Sequence, residues 1–147
     1  MRTLIRAEGL SIGYKTRRKV RKTIAADLSL DLKAGDLVCL VGPNGCGKST
    51  LLWTITGLLP PLSGEVYLGG RDVRALAPLE RAKLVSVVLT NPVQAGQLSV
   101  YDVCGLGRYP YTGWLGSLTD IDRRQVEQAL DAVGVASFAD RFLDELS

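Results

Sequence analysis

Histidine is absent from all 147 residues. That absence excludes histidine-ligated metal centres, histidine general bases and Ser-His-Asp triads. Cysteine is scarce: Cys39, Cys46 and Cys104 are odd in number and unevenly spaced, giving neither a disulfide framework nor a CxxC metal knuckle. All three are expected as reduced thiols. No uninterrupted apolar run approaches the roughly 20 residues of a membrane-spanning helix. Polar residues scattered through the N-terminal MRTLIRAEGLSIGY exclude the apolar core of a secretion signal. The expectation is a cytosolic protein. Charge of one sign is also in short supply: the net charge is +3, although KTRRKVRK, Lys15 to Lys22, holds six basic residues.

What is present is ordinary globular composition, 46% hydrophobic and 22% charged, in a chain of about one domain's length. TLIRAEGLSIGY and TIAADLSLDL alternate apolar and polar residues as half-buried strands do, with the basic run as their hairpin connection. LVCLV, residues 37–41, reads as a short strand buried in a parallel sheet, and LVSVVL, residues 84–89, as a second. Between them the pattern gives a helix from Ser49, stopped at Gly57 and Pro60-Pro61, a strand in GEVYLGG and a short helix in PLERAKL. From Asn91 onward the pattern changes to short helices separated by turns. SVYDVCGLG, TDIDRRQVEQALDAVGV and SFADRFLDEL are read as helices around a polar-aromatic loop, RYPYTGWLG. This is an α/β half, residues 1–90, followed by a helical half, residues 91–147.

The chemistry sits at Gly42-Pro43-Asn44-Gly45-Cys46-Gly47-Lys48-Ser49, which fits the phosphate-loop pattern G-x-x-x-x-G-K-[ST] between an apolar run and a helix. Glycines allow the backbone to wrap closely around phosphate oxygens and point successive N–H groups inward. The start of the helix adds unpaired N–H groups and the positive end of its dipole. Lys48 reaches the β- and γ-phosphates, and the Ser49 hydroxyl is a candidate Mg²⁺ ligand. Cys46 is expected as a small filler that contributes a backbone N–H. A bare tight turn would need none of Gly45, Gly47, Lys48 and Ser49 together.

DLSLDLKAGDLVCLVGPNGCGKSTLL followed by GLLPPLSGEVYLGGRDV closely resembles the nucleotide-binding subunits of ABC (ATP-binding cassette) transporters. The resemblance implies an α/β P-loop NTPase core with a flanking antiparallel sheet and a helical subdomain. It implies ATP and Mg²⁺ as ligands, held by Gly42 to Thr50, with Lys48 acting in catalysis. It places Tyr14 where the family stacks an aromatic ring on adenine; local packing at a strand end is the other reading of that ring. The segment LSVYDVCGLGRYPYTGWLG is similar to its counterpart in importers for iron chelates, haem and cobalamin. There Tyr109, Tyr111 and Trp114 are candidate anchors for the membrane permease, unless they pack within the helical half. The family also implies a homodimer that sandwiches ATP, peripheral on the inner face of the plasma membrane.

The chain departs from the family at Thr90, where a glutamine is usual. Gln94 and Gln97 follow within the same loop. The terminal Leu146-Ser147 look like the first two positions of the ABC signature, and Phe142-Leu143-Asp144-Glu145 mimics an apolar run ending in Asp-Glu. Phe138, Phe142 and Leu146 recur at helical spacing, so the segment is expected as a helix. On that reading the C-terminal third of the family's fold, with its metal-orienting aspartate, catalytic glutamate and switch histidine, is missing, and the chain alone binds nucleotide weakly without turning it over. Two other functions fit the same residues. One is a non-transport ABC ATPase acting on nucleic acid or ribosomes through Arg17, Arg18 and Lys19, although no aromatic residues interleave that run and no nucleic acid is expected. The other is a non-catalytic nucleotide-binding or interaction fragment.

Overall fold

The computed structural model describes residues 2–15, 21–89, 96–113 and 116–146. The chain divides into two compact units, Met1–Val87 and Val88–Ser147.

The first unit is built on a four-stranded antiparallel sheet in the order β2-β1-β3-β4. Its strands are β1 (Thr3–Lys15), β2 (Arg21–Lys33), β3 (Ser63–Leu68) and β4 (Arg71–Asp72). The alternating pattern thus forms the expected pair, with Tyr14 opposite Lys22 and Lys15 opposite Arg21. The connection between them, with Arg17, Arg18 and Lys19, lies outside the described residues. Along β1 the buried side chains are Ala7, Leu10 and Ile12. Strict alternation would send Ala7 and Leu10 to opposite faces; the register shift between them lets both face the core. Helix α1 (Lys48–Ile55) packs onto this face through Thr50, Thr54 and Ile55, and Gly57 ends it in a left-handed conformation, φ 76°. The short helix α2 (Pro78–Ala82) has Pro78 at its first position and Glu80 accepting from the Ala77 N–H.

One expectation for this unit is overturned. Neither residues 37–41 nor 84–89 pair as strands among the described residues. Leu37 is 100% exposed, Val41 84% and Val88 98%. A parallel strand is buried only when neighbours pair with both edges and helices cover both faces. Among the described residues neither run has a ladder partner, although Val85 packs against the core of the first unit. The second correction concerns the helix expected over 138–146. Single 3₁₀ turns form at Ala136–Phe138 and Leu143–Glu145 instead, because the intervening backbone is used elsewhere. The Val100 N–H donates to Arg141 O at 2.9 Å, the Leu143 N–H donates to Leu98 O at 3.0 Å, and Phe142 is extended opposite Ser99.

In the second unit, α3 (Val100–Leu106) and α4 (Asp120–Ala132) pack through Val100, Val126 and Leu130, with Cys104 and Leu143 alongside. Both helices begin with reciprocal capping boxes, Ser99 with Asp102 and Thr119 with Asp122. A 3₁₀ turn at Tyr109–Tyr111 follows α3.

Candidate functional site: a phosphate loop with a tethered tyrosine

The run through Pro43 turns at Asn44-Gly45 and enters α1 at Lys48. Gly47 is the pivot. Its φ of 102° is one that side chains rarely adopt, and a Cβ there would lie 2.4 Å from Ile24 Cγ2 on β2. Only glycine lets the loop rest against the sheet at this point. From Gly47 the helix starts at once, the Leu51 N–H donating to Gly47 O at 2.8 Å.

No side chain caps α1, and no acidic residue occupies its first turn. The N–H groups at its start, which have no carbonyl partner within the helix, remain available to an anion, and the helix dipole is not neutralised. The Lys48 ammonium donates to Gly42 O at 2.7 Å and to Pro43 O at 2.8 Å, so the loop's own carbonyls hold the cation over its first residues. Cys46 folds back toward Gly42, its Sγ 3.1 Å from where a Cβ on that glycine would stand, while its N–H donates to Pro43 O at 3.4 Å. Ser49 follows Lys48 on the exposed side of the helix start. Such an arrangement gathers backbone donors and one cation at the start of α1, the groups that phosphate oxygens pair with.

The structure brings Tyr14 to the same place. At the end of β1 it is 39% exposed, and its hydroxyl lies 3.1 Å from the Thr50 Oγ1 in the first turn of α1, where either oxygen can donate. Sequence reasoning placed both residues separately but not their bond, which joins positions 36 apart. Thr90, Gln94 and Trp114 fall outside the described residues, and Gln97 is exposed in the second unit.

In the second unit, Tyr109 is 64% exposed and Tyr111 50%. The Arg108 guanidinium lies 4.2 Å from the Tyr111 ring centroid and donates from Nε to Asp122 Oδ1 at 2.9 Å. Asp122, only 4% exposed, also accepts from the Thr119 hydroxyl at 2.7 Å and from the Thr119 N–H at 3.1 Å. The Thr119 hydroxyl, then its N–H, then Arg108 hold the Asp122 carboxyl below the usual aspartate range. This knot was missed by sequence reasoning, although Thr119-x-x-Asp122 carries the capping-box spacing that could have found it. Among the described residues no group of three or more Cys, Asp or Glu is placed to hold a metal ion, and no helix is long and apolar enough to cross a membrane.

The iron(3+)-hydroxamate import ATP-binding protein of Bacillus subtilis is 35% identical to this chain, over 95% of it and 50% of that protein. The ferric enterobactin transport ATP-binding protein of Escherichia coli is 33% identical over 97% of this chain and 51% of its own length. A crystal structure of a nucleotide-free ATP-binding cassette from an ABC transporter superposes with a TM-score of 0.77 at 24% identity, covering 99% of this chain and 59% of that one. The chain thus spans about half the length of the curated relatives it matches. The family model for ABC transporters matches residues 25–147, from within β2 through the phosphate loop to the end of the helical unit, and the chain belongs to that family.

Proposed function

We propose that this chain is the nucleotide-binding part of the ATP-binding subunit of an ABC importer, one that couples ATP binding and hydrolysis to uptake of an iron chelate or a related metal complex. One observation carries the nucleotide half of the reading: an uncapped helix start, reached through a loop that only glycine can turn at residue 47, with Lys48 gathered onto it. The names of the relatives carry the cargo half.

On this reading the N–H groups of Gly45 to Thr50 and the Lys48 ammonium neutralise the triphosphate, releasing Lys48 from the carbonyls of Gly42 and Pro43. Tyr14 forms a flat wall for the base. The exposed Ser49 hydroxyl is a fitting oxygen ligand for Mg²⁺, which when bound offsets phosphate charge. Two copies close over ATP, and the exposed turn at Tyr109–Tyr111 receives a helix of the permease on the inner face of the membrane.

The test is calorimetric titration of MgATP into the protein at its natural full length. Lys48→Ala is expected to weaken binding about tenfold or more, the scale of charge-assisted hydrogen bonds. Equal affinity in the two proteins refutes the assignment.

A further inference from the structure

We infer that Thr50 is a positioning residue for the nucleotide base: its side-chain hydroxyl, bonded to the Tyr14 hydroxyl, sets where the Tyr14 ring stands relative to the phosphate loop. The inference rests on the proposed stacking role of Tyr14 and adds what holds that ring in place.

The geometry begins in β1. Leu10, Ile12 and Tyr14 share one face of the strand by their even spacing, and the first two are buried at 0% and 2% exposure. Tyr14 continues that face to the point where the core gives way to the start of α1. Between Ile12 and Gly13 the pairing with β2 shifts, from Ile12 opposite Ala25 to Gly13 opposite Thr23, so that Ile24 is the extra residue. The same Ile24 touches Gly47, and the bulge therefore seats the phosphate loop and the tyrosine together. Gly13 permits the close pairing: a Cβ there would lie 2.0 Å from Lys22 O and 2.9 Å from Leu62 Cδ1.

At the other end, Thr50 is 4% exposed. A buried hydroxyl without a partner is destabilising, so a threonine here is justified by what its oxygen meets. The main-chain carbonyl of Thr50 is engaged by the Thr54 hydroxyl at 2.7 Å, and the side-chain hydroxyl meets Tyr14 at 3.1 Å. The Thr50 main chain belongs to the set of N–H groups proposed to bind phosphate, while its side chain holds the base wall. One residue thus ties the two ends of the ligand to each other. Valine would fill the same volume and cut the tie.

A tether of this kind acts on ligands that carry a base and not on a bare phosphate chain. The readout is therefore the ratio of affinity for MgATP to affinity for magnesium tripolyphosphate, measured by calorimetry on the full-length protein, with circular dichroism to confirm folding. Tyr14→Phe and Thr50→Val are each expected to lower the ratio about three- to tenfold, the scale of one net hydrogen bond. The double variant is expected to be no worse than either single one, and Thr50→Ser, which keeps the hydroxyl, to restore the ratio. If Tyr14→Ala lowers the ratio but Tyr14→Phe and Thr50→Val match the wild type, the tether is refuted and the stacking role stands. If Tyr14→Ala also leaves the ratio unmoved, both fall. Tyr14→Phe, at a partly exposed ring, decides the matter even if Thr50→Val fails to fold.

Discussion

The two units of this chain hold themselves together by different means. In Met1–Val87, eight hydrophobic residues are buried in one cluster assembled from β1, β3, α1 and the segment after β4, and the same unit leaves Leu37 and Val41 almost wholly in solvent. Among the described residues of Val88–Ser147 the buried hydrophobic side chains are only Val100, Val126 and Leu130, and both main helices instead start on reciprocal caps, one of which also receives Arg108. Strand pairing between distant segments governs the first unit; in the second, locally capped helices are joined by the pairing of Leu98 and Val100 with Leu143 and Arg141. A segment whose stability comes from distant partners is only as ordered as those partners allow, whereas a capped helix carries its instructions within a few residues.

Three substitutions sharpen that contrast. The largest effect is expected from Leu10→Ala in the sheet unit, where truncating a fully buried side chain costs about 2–5 kcal/mol, read by chemical denaturation followed by circular dichroism. A loss below about 1 kcal/mol would show that the cluster does not govern this unit. Asp122→Asn should lower the thermal midpoint by less, since it weakens one knot in the helical unit and leaves the sheet core intact. Its pH signature is the sharper test. The folded carboxyl lies below its ordinary value, so its contribution is complete above that value and is lost as pH falls through the lower, folded one. The wild type should lose stability on the acid side more steeply than Asp122→Asn, with Asp102 giving both proteins a residual slope of the same sign. Matching slopes would remove Asp122 from the account. The smallest change is expected for Ser99→Ala, about 1 kcal/mol by the same denaturation measurement, because one N-cap oxygen is lost from a short helix. An unchanged midpoint would show that the cap is dispensable.

The same contrast explains what could be read from the sequence. The glycine turn into α1 was legible from its residues: Gly47 takes the positive φ that favours glycine, and the helix follows at Lys48. Helix α4 was legible as a helical stretch within TDIDRRQVEQALDAVGV, although the cap that starts it, Thr119 with Asp122, was not singled out. LVCLV was read as a buried strand and is neither buried nor paired: apolar composition records what a strand needs, and the needed neighbours are not among the described residues. The stretch from Phe138 to Leu146 was read as a helix from its spacing. The backbone there pairs with Leu98 and Val100, about forty positions earlier, and no local pattern announces that. The bond between Tyr14 and Thr50 escaped for the same cause, because it depends on a bulge at Ile24 that alternation alone does not mark.

The bare run from Leu37 to Val41 continues without interruption into Gly42 and Pro43, whose carbonyls anchor the Lys48 ammonium. Any strand that zips onto this run would stiffen those two acceptors as well. Nucleotide grip and strand pairing along residues 37–41 are therefore expected to rise together.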